Sequence, residues 1–170
     1  MLDATTVSVC YLQQDDRLAL DCADGTRRIR LILTRRLTRR LLNACIGLLE
    51  RSSAVLAKTP AALRSEVIGM EHLSALKRAA PAPAPPGPAL RDLGSVLVTQ
   101  IDLQTAADAF SILLQSDGEP VARLALSRSI LHRTVALIDE WAERAEWDIG
   151  SRTGWLTAAV TGAMPGRVAS

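Results

Sequence analysis

The chain has 170 residues, of which 48% are hydrophobic and 22% are charged, so we expect one globular domain or two small halves rather than a disordered or fibrous protein. A net charge of +2 is too small to make the whole chain a nucleic-acid binder. An aromatic content of 3% argues against functions that stack rings on bases or sugars.

The first predicted elements are three strands in which apolar and polar residues alternate, as in half-buried strands. Asp24 and Gly25 separate the second strand from the third, and this pair favours a type I′ hairpin turn, which needs positive φ at both central positions. In the third strand Arg28 and Arg30 are predicted to point outward. The inward-facing residues of the three strands are Val7, Val9, Tyr11, Leu18, Leu20, Cys22, Ile29, Leu31 and Leu33.

A helix is predicted after the third strand, and it completes a first half over residues 1–52. Thr34 is a suitable N-cap, because its hydroxyl can accept a backbone N–H of the first turn. Apolar residues at helical spacing predict the buried stripe. These residues are Leu37, Leu41, Ala44, Cys45 and Leu48.

Residues 53–79 are predicted to form a connecting helical segment. Thr59-Pro60 is a favourable helix start, since proline at the first helical position loses no hydrogen bond. The proline-rich run Ala79–Pro88 then predicts a flexible, extended linker over residues 80–91. The apolar stripe of the connecting helix is Leu63, Val67, Met70 and Leu73.

The second half, residues 92–149, is predicted to repeat the same order of elements. Its strands are expected near Ser95–Leu103, Phe110–Gln115 and Val121–Leu126, with Asp117-Gly118 at the hairpin turn and Ser127 as N-cap of the helix. The helical stripe is Leu131, Val135, Ile138, Ala142 and Ala145. Residues 150–170 are predicted to be a flexible tail anchored by Trp155 and Leu156.

An internal duplication supports this division. Shifting the sequence by 93 positions aligns Ala23–Leu42 with Ser116–Val135, with seven identities in twenty columns. The sequence therefore predicts an α+β fold in which two β-β-β-α repeats form antiparallel sheets covered by helices, with an extra connecting helix. In architecture this resembles single-strand-binding folds of the PUR and Whirly types, which use four strands per repeat and share no motif with this chain.

Motifs for catalysis are missing from the sequence. His72 and His132 have no partner at metal-ligand spacing, and there is neither a nucleophile elbow nor a glycine-rich phosphate loop. We therefore expect no enzyme activity and no cofactor. A catalytic site would need a polar pocket between the halves, and the sequence names no residues for it.

Membrane and export signals are not recognised either. No run of about 20 apolar residues is available to span a bilayer, and the N-terminus has no basic region followed by a long apolar one. The three cysteines, Cys10, Cys22 and Cys45, lack a CxxC spacing and are interpreted as small buried hydrophobes in a reducing compartment. The expected location is the cytoplasm.

Arginine placement is the unusual feature of the sequence. Seven arginines and no acid fall within residues 27–40. Four of them share one face in the N-terminal half of a predicted helix, where the helix dipole already disfavours cations. The candidate residues for binding an anion or a partner are Arg28, Arg30, Arg35, Arg36, Arg39 and Arg40.

The second predicted helix carries an acidic counter-face in its C-terminal half. Its residues are Asp139, Glu140, Glu143 and Glu146. Three interpretations are open: two solvated faces, a contact between the basic and acidic helices within or between chains, or arginines that bind an external anion.

Together these features favour a non-catalytic binding or assembly module, such as an adaptor, an assembly factor or a subunit of a larger complex. Its partner would be another protein or a second copy of the chain. The alternative is a nucleic-acid-binding protein that uses the basic face over Arg27–Arg40.

Overall fold

The structure is a computed structural model that describes residues 1–77, 89–106, 109–149 and 154–156. Within these residues the chain forms eight strands, four α-helices and one 3₁₀ turn, Ala61–Leu63. The strands are β1 (Leu2–Ala4), β2 (Thr6–Leu12), β3 (Arg17–Ala23), β4 (Arg27–Leu33), β5 (Arg91–Leu97), β6 (Gln100–Ala106), β7 (Ala109–Ser116) and β8 (Glu119–Ser127). The helices are α1 (Arg35–Arg51), α2 (Ala54–Lys58), α3 (Arg64–Lys77) and α4 (Arg128–Arg144).

The strands form two four-stranded sheets, in the orders β2-β3-β4-β5 and β1-β8-β7-β6. Three strands of each sheet are consecutive and antiparallel, and the fourth comes from the other half of the chain and lies parallel to its neighbour. The predicted α+β class is confirmed. The prediction of three strands per repeat is wrong, because each half has four strands and gives its first one to the other sheet.

The chain crosses from one sheet to the other within a single peptide step in each half. The N–H of Val98 donates to Ile32 O in the first sheet, and that of Thr99 donates to Gln115 O in the second. In the same way Ala4 pairs with β8, whereas the N–H of Thr5 donates to Ala23 O of β3. The single strand predicted over Ser95–Leu103 is therefore two strands, β5 and β6.

The two hairpin turns at the duplicated Asp-Gly pairs differ. Asp117 and Gly118 have φ of 50° and 84°, as the predicted type I′ turn requires. At the first pair only Gly25 has positive φ, at 92°, and the Asp24 carboxylate accepts the N–H groups of Thr26 and Arg27. The prediction of a type I′ turn there is wrong, because this carboxylate closes a longer turn.

The helices α1 and α4 begin at the predicted caps. Thr34 Oγ1 accepts the N–H of Leu37 at 3.2 Å, and Ser127 Oγ accepts that of Ile130 at 3.3 Å. The two helices pack against each other, and each also contacts both sheets: α1 contacts β3 and β6, and α4 contacts β7, β8 and β2. The core lies between this helix pair and the sheets, with Leu31 and Leu124 buried at matched positions of β4 and β8.

The connecting helix α3 packs on α4 through a different face from the predicted one. Ile68, Gly69, His72 and Ala75 are buried, whereas Met70 of the predicted stripe is 69% exposed. Leu63, another member of that stripe, lies in the 3₁₀ turn and is 47% exposed. Val67 and Leu73 of that stripe are half-buried, so apolar periodicity alone predicts a face that overlaps only in part with the one that meets α4.

The predicted linker and tail lie mostly outside the described residues. Of the linker 80–91 the structure describes only 89–91, where Arg91 already begins β5. In the tail, Trp155 and Leu156 are buried, as predicted. No helix in the described ranges combines the length and the apolar character that crossing a membrane requires.

The three cysteines carry no disulfide. Cys22 and Cys45 are fully buried, and burial raises the pKa of both thiols to about 12. Burial also raises the pKa of the partly buried Cys10. These thiols stay protonated at neutral pH and are poor nucleophiles.

Candidate partner-binding surface

The six candidate arginines lie on two separate surfaces. On β4 the alternate residues Ile29, Leu31 and Leu33 are buried towards the helices, so Arg28 and Arg30 point to the opposite face of the sheet. The other four arginines lie on α1, on the helix side of that sheet, and all four are exposed. The structure does not join the two groups into one basic face.

The sheet arginines are paired with carboxylates. Arg30 makes a bidentate contact with Asp21, with Nε–Oδ1 at 2.7 Å and Nη2–Oδ2 at 2.8 Å. Arg28 Nη2 lies 2.9 Å from Asp92 Oδ2 on the neighbouring strand β5. The Gly94 N–H and Arg28 together lower the pKa of Asp92. This surface carries charges of both signs in contact, and its positive charge is largely compensated.

The helix arginines are not compensated in this way. Arg36, Arg39 and Arg40 form no ion pair with any residue that the structure describes. Arg35 extends over the end of α4, where its Nη2 lies 3.5 Å from Asp148 O. The first turn of α1 contains no acid, so the positive end of the helix dipole adds to these charges. We call the four residues Arg35, Arg36, Arg39 and Arg40 the α1 arginine face.

The predicted acidic counter-face is not one surface either. Asp139 is buried on α4, whereas Glu140, Glu143 and Glu146 are exposed. Glu140 Oε1 accepts a hydrogen bond from Arg144 Nη2 at 2.6 Å, within the same helix. Among the described residues, no ion pair joins the α1 arginine face to these four carboxylates. The hypothesis that the two helices pair through opposite charges inside one chain therefore has no ion pair in its support.

A polar cluster that the sequence did not reveal holds α3 on α4. Arg128 pairs with Glu71 through Nε–Oε1 and through Nη2–Oε2, the latter at 3.0 Å. The same guanidinium donates to Leu49 O and to Ser52 Oγ, both at 2.7 Å, at the end of α1. Arg133 Nε donates to Ala75 O at 3.0 Å. Arg128, the first residue of α4, thus joins the C-terminal end of α1 to the middle of α3.

The two histidines of the chain meet inside this cluster. His72 and His132 are each 1% exposed, and their Nδ1 atoms lie 3.1 Å apart. His132 Nε2 lies 3.4 Å from Glu71 Oε1 without forming a hydrogen bond, and the nearby negative charge favours the tautomer that carries its proton on Nε2. In its neutral form His132 therefore accepts at Nδ1, and His72 donates. The sequence held no signal for this pair, because its members are 60 positions apart.

Burial sets the protonation of the cluster. It lowers the pKa of His72 to about 4. Burial also lowers the pKa of His132, against the opposing effect of the Glu71 carboxylate. For Glu71 burial acts to raise the pKa, but Arg128 and His132 outweigh it and the net pKa is lowered. At neutral pH the cluster is one Glu⁻–Arg⁺ pair beside two neutral imidazoles.

A groove of about 580 Å³ lies between the end of α1, α2, α3 and Trp155. Its polar wall includes Arg51 and Arg64, and its apolar wall includes Leu56 and Ile68. Trp155 Nε1 donates to Glu50 Oε1 at 2.9 Å at the edge of the groove. In the described part of the chain, no group of three or more His, Cys, Asp or Glu side chains is arranged to hold a metal ion.

Comparisons with known proteins give no relative from which a role could be carried over. No protein-family model matches the chain, and neither a curated protein nor a solved structure is significantly similar to it.

Proposed function

We propose that this protein is a non-catalytic binding or assembly module of the cytoplasm, which acts as an adaptor, an assembly factor or a subunit of a larger complex. The observation that carries the proposal is the α1 arginine face. It places four exposed cations in the first two turns of a helix, and none of the four forms an ion pair with a described residue.

The α1 arginine face destabilises the isolated protein. A cation in the first turn of a helix, as at Arg35 and Arg36, is unfavourable by about 0.3–1 kcal/mol, and like charges four residues apart add repulsion. Carboxylates of a partner would reverse both effects, since arginine forms short, charge-assisted hydrogen bonds with them. The electrostatic free energy of the α1 arginine face is therefore unfavourable in the isolated protein and favourable in a complex with an acidic partner.

Exposed apolar residues support a protein partner. Leu93 and Leu97 are exposed on β5, an edge strand of its sheet, and Met70 is exposed on α3. Exposed apolar groups and an open strand edge are features that protein interfaces use.

Nucleic acid is the second candidate class, because a phosphate backbone also attracts clustered arginines. Single-stranded nucleic-acid binding usually relies on aromatic side chains that stack on bases, and here all five aromatic rings are engaged within the fold. Phe110, Trp147 and Trp155 are buried. The Tyr11 hydroxyl donates to Asp16 Oδ1 at 2.8 Å, and the Trp141 ring is covered by the Arg144 guanidinium at 4.9 Å.

Co-purification with a paired set of variants tests the proposal. The Arg36→Glu/Arg39→Glu protein should lose a stoichiometric protein partner that the native protein retains, as measured by light scattering and mass spectrometry. Lys58→Glu/Lys77→Glu is the control, because it makes the same change in net charge at exposed sites outside α1 and β5.

Two results would overturn the proposal. One is a native protein that is monomeric and retains no partner. The other is a steeply salt-dependent affinity for single-stranded nucleic acid that only the α1 variant loses, which would assign the face to phosphates.

A further inference from the structure

The duplication relates the α1 arginine face to residues of α4 whose role the structure defines. The shift of 93 positions places Arg35, Arg36, Arg39 and Arg40 on Arg128, Ser129, His132 and Arg133. The caps Thr34 and Ser127 correspond in the same register, and both begin their helices in the structure. The two faces therefore occupy equivalent positions in the two repeats.

On α4 these positions form the docking site for α3. Arg128 forms an ion pair with the Glu71 carboxylate, the His132 ring contacts the His72 ring, and Arg133 donates a hydrogen bond to Ala75 O. Ser129 lines a cavity of about 220 Å³ together with residues of both helices, including Glu71 and Ala75. Each of the four equivalent residues on α4 lies at the seam with α3.

On α1 the equivalent positions are exposed, and no described helix lies across them. The Arg35 side chain nevertheless resembles that of Arg128, because each contacts a backbone oxygen near the end of the other helix. Arg128 reaches over the end of α1 to Leu49 O, and Arg35 reaches over the end of α4 to Asp148 O. The molecule thus contains one occupied and one exposed copy of the same helix-docking position.

We propose that the α1 arginine face is the docking site of an acidic helix from another protein, which lies across α1 as α3 lies across α4. The inference rests on the proposed binding function and names its partner class. The occupied copy gives the chemistry: Glu71 faces Arg128, His72 faces His132, and the small Ala75 lies beside Arg133.

The same contacts, placed on α1, specify which residue types the partner helix carries. A carboxylate replaces Glu71 opposite Arg35, and a second one replaces His72, because Arg39 stands where α4 has a histidine. A small residue four positions after the first carboxylate would let the helix approach Arg40. The partner helix therefore carries two consecutive acids followed by a small residue at the same spacing as Glu71, His72 and Ala75.

The chain itself does not supply such a helix. Its segments 78–88 and 157–170 contain neither Asp nor Glu, and α3 is already engaged by α4. Charge complementarity consequently points to a separate acidic chain.

The test uses a probe copied from the occupied site. The probe is a peptide with the sequence of residues 64–77 carrying His72→Glu, and its control carries Glu71→Gln and His72→Gln. Each is titrated into the isotope-labelled full-length protein and followed by NMR. We expect the acidic peptide alone to shift the amides of residues 35–40. In Arg35→Gln/Arg39→Gln its affinity should fall at least tenfold, and in Lys58→Gln/Arg91→Gln it should be unchanged.

A short peptide can bind too weakly to be detected by titration, so a second measurement raises its effective concentration. The same peptides are fused to the C-terminus of the full chain through a flexible Gly/Ser linker, which gives an effective concentration on the order of 1 mM. The acidic fusion should slow amide exchange in residues 35–40, and the glutamine fusion should not.

Absence of both effects would overturn the inference, as would shifts on α4 in place of α1. Equal binding of the two peptides, or displacement of the acidic peptide by a single-stranded oligonucleotide at equal concentration, would also overturn it. A partner that co-purifies equally with the native protein and with Arg35→Gln/Arg39→Gln would refute this docking site while leaving the binding function in place.

Discussion

Among single residues, the buried pair His72 and His132 depends most on protonation. A proton added to His132 Nδ1 would face the donor Nδ1 of His72, so the contact requires a neutral His132 ring. Burial lowers the pKa of His72 to about 4, whereas in the unfolded chain it lies near the ordinary 6.5. Unfolding therefore takes up protons between these values. The stabilisation is complete above the unfolded pKa and is lost as the pH falls towards 4.

We expect the free energy of unfolding to decrease by about 1–3 kcal/mol from about pH 7.5 to about pH 5, because a tenfold difference in proton affinity corresponds to about 1.4 kcal/mol. Urea denaturation at both pH values measures this. His72→Gln keeps a donor near His132 but removes one titrating ring, so its stability should depend less on pH. An identical pH dependence in the two proteins would show that the pair is not responsible.

Among the elements, α1 and α4 could be predicted from the sequence and the packing of α3 could not. The caps Thr34 and Ser127 and the apolar stripes are local signals, so a window of a few residues contains them. The face that α3 presents depends on Arg128 and His132, which lie far along the chain. Its own periodicity favours a stripe that is rotated from the buried face, since Val67 and Leu73 are only half-buried and Met70 is exposed.

Reversing charge on α1 should stabilise the isolated protein. In Arg36→Glu/Arg39→Glu, acids replace cations near the positive end of the helix, so we expect the unfolding free energy to rise by about 1 kcal/mol. Thermal and urea denaturation at low salt give the value, with Arg91→Glu on β5 as the control. Unchanged or reduced stability in the double variant would contradict the electrostatic cost assigned to the α1 arginine face.

Removing the Glu71 carboxylate should loosen α3. Glu71→Gln leaves the half-buried Arg128 without its counter-charge, so we expect a loss of about 1–3 kcal/mol and faster amide exchange in α3 than in α1. Glu66→Gln alters an exposed acid of the same helix and serves as the control. Equal exchange rates in the two variants would mean that apolar packing alone holds α3.

For the whole molecule, the exchange of strands between the two halves could not be predicted from the sequence. β1 has three residues, too few for an alternating pattern, and β5 continues into β6 with only two residues between them. Pairing of β1 with β8 and of β4 with β5 joins sequence-distant segments. The repeat could be inferred from residue matches, but this interlocking could not.

Because of the interlocking, a change in β1 should destabilise both halves together. Leu2 is 1% exposed, so we expect Leu2→Ala to cost about 2–5 kcal/mol and to leave unfolding a single transition by fluorescence and circular dichroism. Leu63→Ala makes the same substitution at a residue that is 47% exposed and is the matched control. Separate transitions for the two spectroscopic signals would contradict the interlocked arrangement.

Hydrogen exchange of the protein, alone and in the complex isolated with its partner, tests most directly whether the α1 arginine face is the binding surface. We predict that the partner slows exchange in residues 35–40 and leaves exchange in the sheet surface around Arg28 and Arg30 unchanged. Protection that falls on the sheets, on α3 or on β5 and spares the first turns of α1 would contradict it.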